Sequence, residues 1–126
     1  MTTALAVALG GALGALARWG ATLWIDRTVG GSFPWGTFSV NVVGCFALGA
    51  AVVWVQSTQA PPPVRHFLTV GLMGSFTTFS TYSFETLALL ETGAWWRAGG
   101  YALGSLAVGL TAVAAGMFLA GRLPNG

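Results

Sequence analysis

The sequence predicts an all-helical membrane protein with four transmembrane helices, the third broken in mid-membrane, in a single domain spanning residues 1–126. Three observations point there. Hydrophobic residues make up 55% of the chain and charged residues only 6%, where an ordinary soluble domain carries about 25% charged residues. Five arginines, two glutamates, one aspartate and no lysine cannot coat a water-facing surface, so lipid must be the solvent for most of the chain. Four apolar runs are separated by short punctuators, and each can cross a hydrocarbon layer of ~30 Å, which takes about 20 helical residues.

The first run covers about 3–24 and ends at Asp26-Arg27 and the turn Gly30-Gly31-Ser32-Phe33-Pro34. It lacks the basic start of a signal peptide and continues past Arg18 and Trp19 to Ile25, so a retained helix is expected. The second run, about 36–56, ends in a polar stretch and Pro61-Pro62-Pro63. The third covers about 64–90 and the fourth about 95–119, before Arg122 and Pro124. Trp24, Trp35, Trp54, Trp95 and Trp96 fall near the proposed ends, where an aromatic belt belongs.

The third run is unusual. Most of the stretch from Gly71 to Glu85 is Gly, Ser, Thr or Glu, which a lipid-facing helix has no use for. Backbone groups freed at membrane depth are tolerated only inside protein or beside a water-filled cavity. A broken helix here would offer carbonyls to a cation and hydroxyls to an anion.

Charge and small residues bear on assembly. In a four-span topology one side carries Arg65 and Arg122 and the other Arg18, Arg27 and Arg97. That bias is too weak to fix orientation, and it permits two copies to insert in opposite senses as an antiparallel dimer. Small residues recur at Gly10, Gly11, Gly14 and Ala15, at Gly44 and Gly49, and at Gly100, Gly104, Gly109 and Gly116. Such spacing lets helix backbones approach, within one chain or across a dimer seam.

The chemistry of an enzyme is missing. The sequence shows no carboxylate pair within one segment's core, no Ser-His-Asp set, no phosphate loop and no spaced His/Cys cluster. No basic run suits nucleic acid. Cys45 reads as a small apolar residue and His66 as interfacial. The remaining polar inventory is neutral: Thr37, Ser39, Asn41, Tyr101, Ser105 and the third-run hydroxyls. Neutral hydrogen-bonding groups suit a path that replaces water around a small ion without trapping it. Asn41, set among valines, needs partners, either on another helix or in an anion. Phe79 and Tyr82, three apart, share a helix face and present either core packing or electropositive ring edges to an anion. Arg18 either snorkels to the interface or makes a vestibule electropositive. Glu85 is the one acidic residue well inside an apolar run, a place where carboxylates are functional by default.

Three motifs carry a resemblance: Gly11-Ala12-Leu13-Gly14-Ala15-Leu16-Ala17-Arg18-Trp19, the run Pro34-Trp35-Gly36-Thr37-Phe38-Ser39-Val40-Asn41-Val42-Val43-Gly44, and Gly71 through Glu85. In this order, over nearly the whole length, the chain resembles the Fluc (CrcB) family of fluoride channels. The resemblance implies a dual-topology antiparallel homodimer in the bacterial cytoplasmic membrane, with two fluoride pores at the subunit interface and passive expulsion of fluoride. It implies a central structural sodium ion (Na+) held by backbone carbonyls of Gly74 and Thr77 from both subunits. It assigns Asn41 as a donor to fluoride and Phe79 and Tyr82 as pore-lining ring edges. Ser80, Thr81, Tyr101 and Ser105 would fall on or near the polar track, with Arg18 bridging the interface or shaping an entrance. Two positions depart from the family pattern: Tyr82 stands where Phe is usual, and Gly109, one turn beyond Ser105, where another Ser is common. The alternative is a small dual-topology multidrug exporter, which needs a carboxylate in its first helix; none lies between Met1 and Ile25.

Overall fold

The computed structural model describes residues 1–122, so the expected stop at Pro124 lies outside the described residues. Its regular elements are α1 (Thr2–Val29), α2 (Trp35–Ser57), α3 (Pro62–His66), a π-helical segment (Phe67–Met73), α4 (Gly74–Phe76), α5 (Phe79–Glu91) and α6 (Trp95–Arg122). Among the described residues there is no strand. Three helices, α1, α2 and α6, are long and apolar enough to cross a membrane. At 1.5 Å per residue they run to roughly 35–42 Å.

α1 and α6 outrun the expected 3–24 and 95–119 because a helix continues past the edge of its apolar run until something stops it. Gly30 stops α1: its φ of 67° lies in the left-handed region, and its N–H bonds the Asp26 carbonyl. Asp26, in the last turn of α1, also has a task on the neighbouring helix. Its carboxylate accepts from the Gly36 N–H at 2.8 Å, satisfying one of the orphan donors in the first turn of α2. A side chain on Gly36 would meet that carboxylate at 2.7 Å. After α2, Pro62 and Pro63 open α3, where a missing N–H costs nothing.

The expected third run, 64–90, is assembled from pieces. Backbone dihedrals stay helical from α3 through the π-helical segment to α4. The chain then turns extended at Thr77 (φ −84°, ψ 158°) and Thr78 (φ −149°, ψ 117°) before α5 begins. α5 has 13 residues, about 20 Å of helix.

Packing is close wherever glycines meet. Added side-chain carbons at Gly10 and Gly14 of α1 would strike the backbone of residues 67–76. At Gly49 of α2 and Gly116 of α6 they would strike the Val113 and Phe46 carbonyls respectively. These stripes are therefore used within the chain, whereas a side-chain carbon at Gly100 or Gly104 would have nothing within 4 Å. The buried centre is small and includes Val40, Thr37, Ala98 and Tyr101. Leu5, Leu9, Leu13 and Leu16 of α1 and Leu103, Leu106 and Leu110 of α6 face outward, as lipid-solvated helices do. Trp24, Trp35, Trp54, Trp95 and Trp96 are exposed at the helix ends.

Candidate functional site

The site is built around the two extended residues. Breaking a helix frees four N–H and four C=O groups, and at membrane depth each needs a partner. Two neighbouring helices respond. From α2, the Asn41 amide grips the Thr78 peptide at both ends: Oδ1 accepts from the Thr78 N–H at 2.8 Å, and Nδ2 donates to the Thr78 carbonyl at 3.1 Å. From α1, Arg18 Nε donates to the Ser75 carbonyl at 3.0 Å. Thr78 caps α5 itself, its hydroxyl accepting from the Thr81 N–H at 3.2 Å and bonding the Thr81 hydroxyl at 3.1 Å. Thr77 closes back on α4's side, its N–H and its hydroxyl both donating to the Met73 carbonyl at 3.1 Å. Gly44 makes room, because a side chain there would collide with the Thr77 methyl.

Carbonyls on both sides of Phe76, and that of Phe76 itself, stay free. Among the described residues, neither Gly74 O nor Thr77 O meets a protein donor, since the Thr78 and Thr81 N–H groups that would serve them in a continuous helix are engaged elsewhere. Neutral backbone oxygens of this kind suit a hard cation. Among the described residues no group of three or more His, Cys, Asp or Glu gathers to offer an alternative.

Beyond the break runs a row of aromatic rings. Phe79, 79% exposed, lies 5.7 Å from Tyr82 between centroids, and Tyr82 lies 5.3 Å from Tyr101. Phe33 closes the row, edge-on to Tyr101 at 5.4 Å. The two phenol hydroxyls are committed. Tyr82 donates to the Ala102 carbonyl at 3.0 Å, and Tyr101 donates to Glu85 Oε2 at 2.7 Å. The other Glu85 oxygen accepts from the Thr37 hydroxyl at 2.9 Å. Thr37 and Tyr101 are 1% and 0% exposed, so this carboxylate ties α2, α5 and α6 together in the interior.

The expected residues are thus gathered in part. Asn41, Thr77 and Thr81 surround Thr78; Phe79, Tyr82 and Tyr101 form the ring row; Ser80 is exposed beside the Thr78 hydroxyl. Ser105 Oγ, on α6, is buried without a hydrogen-bond partner. Arg18 lines a cavity of about 200 Å³ with Thr22, Asp26, Thr37, Thr78 and Thr81. His66 bonds the Pro62 carbonyl one turn back, and Cys45 packs beside Gly109. Sequence reasoning does not single out Thr37 as Glu85's partner, though a signal exists. Thr37 and Asn41 are four apart on α2, and Thr78, Thr81 and Glu85 share a face at spacings of three and four. Two polar faces of that kind find each other in an apolar medium.

A profile of the family described as "CrcB-like protein, Camphor Resistance (CrcB)" matches residues 5–117. Among similar proteins, the fluoride-specific ion channel FluC of Chloroflexus aurantiacus is 42% identical over 120 residues, covering 94% of this chain and 95% of its own. That of Thermus thermophilus is 45% identical over 119 residues, covering 94% of each. That of Nitratidesulfovibrio vulgaris is 50% identical over 105 residues, covering 81% of this chain and 83% of its own.

Proposed function

The chain belongs to the CrcB-like family, and from that premise we propose that it is a fluoride-selective channel. It lets fluoride leave a bacterial cytoplasm passively through the inner membrane, lowering cytoplasmic fluoride and conferring resistance; it is a transporter and not an enzyme. The observation that carries the reading is the Thr77-Thr78 break, flanked by free carbonyls on one side and a row of aromatic rings on the other.

Because Tyr82 and Tyr101 spend their hydroxyl protons on protein acceptors, an anion passing the rings meets their positive edges. The second Nδ2 hydrogen of Asn41 and the unpartnered Ser105 hydroxyl supply further neutral donors. A path of weak donors holds a small anion without trapping it. Ser80, Thr81 and Arg18 line its approaches, Arg18 adding positive charge to the cavity it shares with Thr78 and Thr81.

The unit of function in this reading is an antiparallel homodimer of four-span subunits, α3 to α5 forming the broken third span. Gly100 and Gly104, open on α6, and the exposed Phe79 and Ser80 support a face made for a second copy. The Gly74 and Thr77 carbonyls of both subunits would hold a sodium ion, whose charge offsets the cost of bringing an anion into low dielectric. The exporter reading is not favoured: α1 has no carboxylate before Asp26, and Glu85 is engaged by Thr37 and Tyr101.

Purified protein in liposomes should release fluoride electrogenically, with little chloride movement. Proton movement coupled to a cationic drug, without fluoride flux, overturns the channel reading in favour of an exporter. Absence of both leaves a scaffold.

A further inference from the structure

We propose that Asn41 is a positioning residue as well as a pore residue: its amide clamps the Thr78 peptide and thereby holds the helix break in shape. The starting point is a deficit. Thr78 is extended and stands at the N-cap of α5, so its C=O can start the α5 ladder but its N–H has no helical partner, and an unpaired amide group away from water costs several kcal/mol. Asn41 supplies the acceptor that the N–H lacks, at 2.8 Å, and adds a donor to the carbonyl, at 3.1 Å. A primary amide is the right chemistry, because it carries a donor and an acceptor side by side, as a peptide does. The amide's orientation is also determined. The Thr78 N–H can only donate, so it must face Oδ1, and Nδ2 must face the carbonyl. A two-point bond fixes the orientation of Thr78's backbone, not merely its position.

That orientation governs what lies on either side. The Thr77 carbonyl precedes it directly, and the Thr78 hydroxyl that starts α5, and so orients Phe79 and Tyr82, follows it. Gly44, three residues on from Asn41 on α2, accommodates the Thr77 methyl and keeps α2 against the break. One residue of α2 therefore sets the carbonyl cradle and the ring row together. Only one Nδ2 hydrogen remains for anything else, so a loss of flux on mutating Asn41 has two separable components.

The inference rests on the channel reading for its flux readout but not for its structural ones. In the wild-type protein, hydrogen exchange at the Thr78 amide should be at least about tenfold slower than for an unbonded amide, the factor equivalent to one net hydrogen bond of about 1.4 kcal/mol. Asn41→Ala should remove that protection and raise, by about tenfold, the sodium concentration needed for half-maximal thermal stabilisation. Asn41→Asp, which keeps the acceptor for the Thr78 N–H but sets an oxygen against the Thr78 carbonyl, should retain the amide's protection while raising the sodium requirement. Flux lost in Asn41→Ala with Thr78 exchange and sodium dependence unchanged overturns the clamp and leaves Asn41 as an anion contact alone. Should the variants fail to fold, an unprotected Thr78 amide in the wild-type protein overturns it equally. A protected Thr78 in a protein that passes no fluoride supports the clamp while refuting the channel.

Discussion

Removing the Glu85 carboxylate tests the interior tie most directly. Glu85→Ala leaves the Thr37 and Tyr101 hydroxyls without their acceptor, and both residues are at most 1% exposed. A buried polar group that loses its partner costs about 1–3 kcal/mol, so the variant should lose roughly 2–6 kcal/mol in all. Glu85→Gln keeps the shape and one acceptor oxygen while turning the other into an amide NH2. The Tyr101 hydroxyl can rotate to accept from that NH2, so the cost falls to about 1–2 kcal/mol, the difference between charged and neutral hydrogen bonds. A second substitution sharpens the test. Thr37→Val alone deprives the carboxylate of a donor, but in the Glu85→Ala background it replaces an orphaned hydroxyl with a methyl and should restore about 1 kcal/mol or more. The measurement is equilibrium unfolding in mixed micelles, followed by tryptophan fluorescence, on the four corners of the cycle. Strict additivity of the two substitutions, or a Glu85→Ala variant within about 0.5 kcal/mol of wild type, would refute the assignment, because contacting groups in one network couple by more than that.

Two matched pairs extend the reasoning. Gly116→Ala drives a methyl into the Phe46 carbonyl and should destabilise by about 1–3 kcal/mol as overpacking does, whereas Gly109→Ala, whose new carbon would sit 3.6 Å from the Cys45 sulfur, should be neutral or gain up to about 1 kcal/mol from helix propensity; thermal unfolding of the two side by side checks the sign. Phe79→Ile should suppress fluoride flux in liposomes while leaving the subunit's own fold intact, because the ring is 79% exposed and contributes little to the subunit's core. Tyr82→Phe, which removes only the bond to the Ala102 carbonyl, should cost about 1 kcal/mol of stability and retain flux.

What is legible in the sequence is whatever rests on composition or on spacing along one helix. The apolar runs of α1, α2 and α6, the polar stretch at the break and the shared face of Phe79 and Tyr82 are all of that kind. The unread features depend on azimuth or on distant partners. Small-residue spacing marks Gly10, Gly14, Gly49 and Gly116 as close-approach sites but says nothing about which helix approaches. Asp26 reads as punctuation and turns out to cap α2, since the orphan N–H it serves belongs to Gly36 ten residues away. Arg18 gives no hint of Ser75, 57 residues on, because the carbonyl it serves is freed only by a break in another helix. The π-helical segment leaves no periodic trace in hydrophobicity over so few residues. Length, finally, misleads in both directions: helices outrun their apolar runs, and the third run, cut at Thr77-Thr78, contains no single helix long enough to declare itself a span.

In the channel reading, the distribution of hydrogen-bonding protons explains how one interior can be rigid and still permissive to an ion. Arg18, Thr37, Thr77, Tyr82 and Tyr101 each direct a proton to a protein acceptor, and Asn41 spends one of its two. Those bonds hold α1, α2, α5 and α6 around a break that the backbone alone would not sustain. The same commitments remove the two phenols as donors, because a phenol already bonded to a carboxylate or carbonyl has only its ring to offer, and leave the Ser105 hydroxyl as a buried hydroxyl without a partner. A tightly binding site would need the reverse, hydroxyls and guanidinium aimed inward and unpaired. In the channel reading, structural satisfaction and weak anion contact are two consequences of one arrangement. A substitution that frees a buried hydroxyl, as Glu85→Ala does for Tyr101, should loosen the fold and at the same moment create a stickier path.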